Sequence, residues 1–249
     1  MMLLGAPGVG KGTYASRIPA AVSQSLTHVA AGDLIRDEIN AGSPKGKEMK
    51  DIVEAGQLVP DELVAGMVTD HLEAEGLLDD APGGPGFILD GFPRTVGQAE
   101  LLAAATPLDL VLEFTMKEDI VLQKMVARRV CRGCNEVYNY AYIKYANWDM
   151  PALLPDGVEQ PEPGTVLSDA AAEGATCSKC GSTDIYQRAD DTEDVIQNRL
   201  RTYEAETKPL VDHFQQHGLL ESFEILGGVK TEMPRLLEVL SGHGLTPSE

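Results

Sequence analysis

Gly5-Ala6-Pro7-Gly8-Val9-Gly10-Lys11-Gly12-Thr13 concentrates more chemistry than any other stretch of the 249-residue chain. Glycines at this spacing let backbone N–H groups turn inward around an anion with no Cβ in the way. They do so at a helix start, where the dipole favours negative charge. Lys11 adds a full positive charge suited to β and γ phosphates. The pattern is G-x4-G-K, with Gly12 where the general form has Ser or Thr and Thr13 one place later. All four cysteines fall in two C-x-x-C pairs, Cys131/Cys134 and Cys177/Cys180. Two such knuckles complete a tetrahedral four-thiolate zinc site, which has no open position and therefore serves as a staple.

These groups need a scaffold, and apolar runs supply one. Met1 to Leu4, Leu26 to Ala30, Gly86 to Asp90, Leu110 to Phe114 and Leu220 to Ile225 read as buried strands. Helical patterns lie between them at Thr95 to Ala105, Lys117 to Arg129, Thr192 to His217 and Glu232 to Leu240. A further helix follows the glycine loop, and Pro19 is expected to end or kink it. Strands alternating with helices predict an α/β fold with a parallel sheet covered on both faces. Two segments interrupt the alternation. Residues 31 to 59 read as short helices, with Asp33 a candidate N-cap. Residues 127 to 191 carry every cysteine, the single Trp148 and a Pro-rich acidic stretch, and read as a subdomain.

Lys+Arg number 20 and Asp+Glu 39, a formal charge of −19 with pI near 4.6. That balance argues against nucleic acid or an anionic membrane as partner, and a diffuse acidic excess suits a halophilic protein hydrated at high salt. No apolar run of about 18 residues and no basic-then-apolar leader is seen, so the expectation is a soluble cytoplasmic protein without a membrane span.

In order along the chain, GAPGVGKGT (5 to 13), AGDLIRDEI (31 to 39), LDGFPRT (89 to 95), ARRVCRGC (127 to 134) and CSKCG with YQRADD (177 to 191) resemble the adenylate kinases, over nearly the whole length. The resemblance implies a P-loop NTPase-like five-stranded parallel sheet flanked by helices, with a helical NMP-binding insert and a zinc-binding lid. It divides the chain into a core of 1–30, 60–126 and 192–249, an NMP-binding domain at 31–59 and a lid at 127–191. It implies a monomer working on ATP and AMP or ADP with Mg²⁺.

Phosphoryl transfer between two polyanions needs several fixed cations to converge on the moving group. Lys11, Arg36, Arg94, Arg128, Arg188 and Arg199 are the candidates. By the resemblance, Gly8, Val9, Gly10, Lys11, Gly12 and Thr13 with Arg128, Val137, Tyr138 and Lys230 bind ATP. Ala31, Arg36, Gln57, Leu58, Val59, Gly91, Phe92, Pro93, Arg94, Gln98, Arg188 and Arg199 bind AMP, Gln98 reading the adenine edge. Lys11, Arg94, Arg128, Arg188 and Arg199 act on the transferring group. Asp90 holds Mg²⁺ through water, Asp33 is a second candidate, and Asp190 and Asp191 anchor the lid or its hinge. The acceptor phosphate attacks without losing a proton, so His28, His71, His213, His217 and His243 read as structural or solvated.

The chain departs from the family's pattern in four places. Ala31 stands where adenylate kinases show Thr or Ser and where uridylate/cytidylate kinases show Ala, which opens a UMP/CMP-type alternative. Lys124 replaces an arginine that stacks on the donor adenine, and ammonium stacks less well. The first strand begins close to Met1. The 42 residues between the cysteine pairs, 135 to 176, exceed the family's spacer, and the excess, roughly Tyr142 to Ala171, reads as an acidic surface loop or a partner contact. A zinc-stapled nucleotide-binding protein without catalysis is the other alternative, and the second set of arginines counts against it.

Overall fold

The computed structural model describes residues 1–78, 84–145 and 148–248. The chain begins β1 (Met2–Leu4), α1 (Lys11–Ala15), α2 (Ile18–Ala21), β2 (Leu26–Ala30), α3 (Ala31–Asn40), α4 (Pro44–Glu54) and α5 (Asp61–Ala74). It continues β3 (Gly86–Asp90), α6 (Val96–Ala105), β4 (Val111–Thr115) and α7 (Glu118–Val126). The cysteine-bearing segment holds β5 (Arg128–Cys131), β6 (Val137–Asn139), β7 (Ile143–Tyr145), β8 (Trp148–Met150) and β9 (Ile185–Tyr186). The chain closes with α8 (Glu193–Thr202), α9 (Pro209–Gln216), β10 (Leu220–Glu224) and α10 (Val229–Gly242).

Five strands form the expected parallel sheet, in the order β10-β4-β1-β3-β2. A strand buried on both faces must be apolar throughout, and Met2, Leu3 and Leu4 are all buried. Their side chains alternate: Met2 and Leu4 join the core under α3 to α6 and α9, while Leu3 joins the core under α1, α2, α7, α8 and α10. Connections leave the centre of the sheet in opposite directions, which opens a crevice at the carboxyl ends of the strands. The glycine loop leaves β1 there, and Asp90 ends β3 beside it.

Several expectations are corrected. The helix predicted to Arg129 ends at Val126, because Arg128 and Arg129 pair with Asn139 and Tyr138 in an antiparallel ladder that leads into the cysteine site. The long helix from Thr192 is interrupted by a π turn at Tyr203–Thr207, after which Pro209, lacking an N–H, sits in the first turn of α9. Pro19 neither ends nor kinks α1: the helix stops at Ala15 and Pro19 lies in the first turn of α2. Asp33 is not a cap, since Ala30 precedes α3 and the Asp33 carboxylate pairs with Arg36. The long spacer is not simply a surface loop. Ile143, Trp148 and Met150 are buried, and β7 pairs with β8.

Gly5 shows how tightly the glycine loop is seated. Its φ of 134° is one that side-chain-bearing residues rarely adopt, and a Cβ there would land on the Phe114 carbonyl oxygen. Gly5→Ala is therefore expected to lower stability by about 2 kcal/mol or more. The check is the urea midpoint, with an unchanged midpoint counting against this account.

Candidate active site

One cavity of about 700 Å³ opens at the carboxyl ends of the sheet, lined by the glycine loop, α3, the turn after β3, β6 and the start of α10. Lys11 begins α1, and its Nζ donates to the Gly5 and Ala6 carbonyls at 2.7 and 3.0 Å. Gly10 caps that helix at φ 115°. A Cβ at Gly12 would stand 2.9 Å from Asp90 Oδ2. The carboxylate lies directly over the loop.

The arginines reach the same cavity from separate elements. Arg36 comes from α3. Arg94 comes from the Gly91-Phe92-Pro93 turn, its Nε donating to the Gly91 carbonyl at 2.8 Å. Arg128 begins β5 and is gripped by Asp191, which is fully buried, while Arg199 of α8 donates to Asp190 Oδ2 at 2.6 Å. Arg188 lines the cavity too, and its buried Nε has no hydrogen-bond partner among the described residues. An orphaned guanidinium N–H in an arginine cluster is the signature of an anion site.

Burial and neighbouring charge together set the proton affinities. Burial pulls Lys11 down to about 8, opposed by Asp90 and reinforced by Arg94, Arg199 and Arg128. Burial likewise brings Arg188 to about 10, with Arg128 and Arg36 adding repulsion. Arg199 also falls to about 10 through burial, partly offset by Asp190. Burial would raise Asp90, but His28 and Lys11 outweigh it and hold the carboxyl below its usual range. The cavity is short of negative charge within a strongly acidic chain, as a polyphosphate site should be.

Gln57, Leu58, Val59, Gly91, Pro93 and Gln98 line the end of the cavity near Arg36. Gln98 is tied on both sides. Its Oε1 accepts from the Arg94 N–H at 2.6 Å and its Nε2 donates to Asp61 Oδ1 at 2.8 Å, leaving one amide hydrogen uncommitted. Asp61 is a partner that sequence spacing gave no hint of. Helix α8 also braces this region: Asn198 Nδ2 donates to the Ala55 carbonyl at 2.6 Å. Val137, Tyr138 and Lys230 line the opposite end, with Lys124, which burial lowers to about 8.

Three predicted residues stand behind the wall. Val9, Ala31 and Phe92 are 1%, 2% and 1% exposed and pack into the core, so only their backbone can serve a ligand. His28 also lines the cavity, its Nε2 3.8 Å from Asp90 Oδ2. Arg17 and Asn139 also line it, and neither carries a motif.

The four cysteine sulfurs lie within 4.8 Å of one another, Cys131 to Cys180 at 3.6 Å and Cys134 to Cys177 at 3.5 Å. A tetrahedron of 2.3 Å zinc–sulfur bonds sets its sulfurs about 3.8 Å apart, so the set is compatible with structural zinc. Burial would raise the Cys177 thiol, but the Tyr138 hydroxyl, donating at 3.1 Å, and the Cys180 and Lys179 N–H groups bring it down to about 6. Burial pushes Cys134 up to about 12.

The adenylate kinase family model matches residues 3–219. An adenylate kinase of Streptomyces griseus is 37% identical over 245 residues, covering 96% of each chain. That of Thermodesulfovibrio yellowstonii is 36% identical over 234 residues, 92% of this chain and 93% of its own. Adenylate kinase 1, chloroplastic, of Arabidopsis thaliana is 37% identical over 239 residues, 96% of this chain and 76% of its own. The match takes in the glycine loop, the arginine turn after β3 and the cysteine-bearing lid together, and the chain belongs to the adenylate kinase family.

Proposed function

We propose that the protein moves a phosphoryl group reversibly from ATP to AMP, giving two ADP. One observation carries the reading: Lys11, Arg36, Arg94, Arg128, Arg188 and Arg199 line a single cavity with the glycine loop. The glycine loop, Lys11 and Thr13 hold the donor's β and γ phosphates. Arg36 and Arg94 hold the acceptor's phosphate, and Arg128, Arg188 and Arg199 spread the charge of the group in transit. A phosphate monoester is mostly dianionic at neutral pH, with a second pKa of about 6, so attack needs no general base. Mg²⁺, held through water at Asp90, would neutralise donor phosphate oxygens.

Residues 31–59 and 127–191 close over the two nucleotides and exclude water, which would otherwise accept the phosphoryl group. Zinc on Cys131, Cys134, Cys177 and Cys180 staples the lid. Ala31, the residue that raised pyrimidine acceptors, is buried behind the wall, while Gln98 keeps an amide hydrogen for a base edge, which supports AMP. We further propose a monomer of the cytoplasm, its acidic surface suited to high salt; among the described residues no helix is long and apolar enough to cross a membrane.

The decisive test mixes the protein with ATP, Mg²⁺ and AMP, UMP or CMP at low and multimolar KCl. ADP formed fastest with AMP is expected, and a clear preference for UMP would reverse the acceptor assignment. Arg94→Ala and Arg128→Ala should each lower kcat about a hundredfold or more with the fold intact by circular dichroism. Near-native turnover in both would remove their assigned roles. Lys11 sits at about 8 rather than 10.5, so the free enzyme loses this cation as pH rises through 8. Hence kcat/KM for ATP should fall above that pH, whereas bound phosphate raises the lysine again and moves the fall in kcat to higher pH. A flat kcat/KM between about pH 7 and 9.5 would contradict this. Chelation should release about one zinc and expose the lid to protease before the core. Metal analysis finding no zinc in the purified protein would refute the staple.

A further inference from the structure

The long spacer in the lid takes no part in the chemistry above, yet it is docked on the core. Trp148 and Met150, 3% and 5% exposed, share one buried cluster with Phe223, Ile225 and Leu236. Asp149 is in register with Gly227, and its carbonyl accepts from the Gly228 N–H at 3.1 Å. The approach is close enough that a Cβ on Gly228 would stand 3.2 Å from Pro151 Cδ. The strap then returns to the lid, because Leu153 and Asn139 exchange two backbone hydrogen bonds at 2.7 and 2.9 Å. Gln160 Nε2 stiffens it by donating to the Ala152 carbonyl at 2.7 Å.

One side of this strap faces the site. Met150, Pro151, Ala152 and Leu153 line the same cavity as Gly228 and Lys230. A nucleotide with its phosphates on Lys11 and the arginines must direct its base away from them, and a largely apolar surface suits the flat face of a purine.

We propose that residues 148–153 form the outer wall of the donor base pocket, and that the Asp149–Gly228 backbone hydrogen bond latches this wall to the core. The inference rests on the adenylate kinase reading of the site and adds a determinant of donor affinity supplied by this chain's own insert. Lid opening then requires breaking that hydrogen bond and wetting Trp148. The acceptor pocket shares none of these contacts, so AMP does not sense the latch directly.

Gly228→Pro tests the latch. Gly228 sits at φ −71°, ψ 164°, which proline adopts without strain, and its carbonyl still accepts from the Thr231 and Glu232 N–H groups at 3.0 Å. The N–H is lost, the ring presses on the Asp149 oxygen and the added Cβ meets Pro151 Cδ, so the variant opens the latch and crowds the wall behind it. Pro151→Ala, at an exposed position, trims the wall without touching the hydrogen bond. Trp148 is the sole tryptophan and reports docking by its fluorescence.

In Gly228→Pro the dissociation constant for ATP should rise about tenfold and that for AMP change by less than about twofold, with Trp148 emission shifted to the red. Pro151→Ala should weaken ATP in the same selective sense without the red shift, and it decides the matter if the proline variant does not fold. ATP affinity unchanged in the folded variants, or ATP and AMP weakened equally, would overturn the proposal. The underlying reading fails differently: the native protein would then make no ADP from ATP and AMP, while the selective effect on ATP binding could still be measured.

Discussion

Mutual repulsion among Lys11, Arg36, Arg94, Arg128, Arg188 and Arg199 is the constraint that the architecture answers. Cations brought together in a partly dehydrated crevice repel strongly, and bulk solvent cannot screen them well. Four carboxylates supply partial relief: Asp90 over the glycine loop, Asp33 on Arg36, Asp190 on Arg199 and Asp191 on Arg128. They orient the guanidinium groups without neutralising them all, and the proton affinities of Lys11, Arg188 and Arg199 are depressed, first by burial and then by the neighbouring cations. Nucleotide phosphates complete the balance. The site is pre-organised for ligand charge, and the protein bears part of the electrostatic cost beforehand.

The sheet makes that concentration of charge geometrically possible. Because β1 lies between β4 and β3, the loop after β1 and the carboxylate ending β3 emerge side by side. The remaining cations arrive on α3, the turn after β3, β5, the segment after β9 and α8, parts of the chain far apart in sequence that packing on the two apolar faces brings together. A net charge of −19 elsewhere sharpens the contrast between cavity and exterior.

Much of this was readable in the residues. The glycine loop and cysteine pairs stand out because few residue types perform those jobs and their spacing is rigid, and the five sheet strands announce themselves as short apolar runs. What escaped depends on partners distant in sequence. Arg128 and Arg129 continue a helical pattern and become strand only because Asn139 and Tyr138 are there to pair with them. Asp33 looks like a cap, yet Arg36 one turn on claims its carboxylate. Gln98 is committed to Asp61, Arg129 to Asp169, and neither pairing has a local signature. The strap around Trp148 was hidden among prolines and acids, since its few apolar residues gain meaning only against Ile225 and Leu236.

Helix α8 carries a mechanical consequence. It presents Arg199 to Asp190 beyond the cysteine-bearing segment, and the neighbouring Asn198 holds the Ala55 carbonyl at the end of α4. The segment ending at Ala55 and the one ending at Asp190 thus share one helix as their footing. Were that helix to tilt when one nucleotide binds, the footing offered to the other would change, and linkage would make the influence reciprocal.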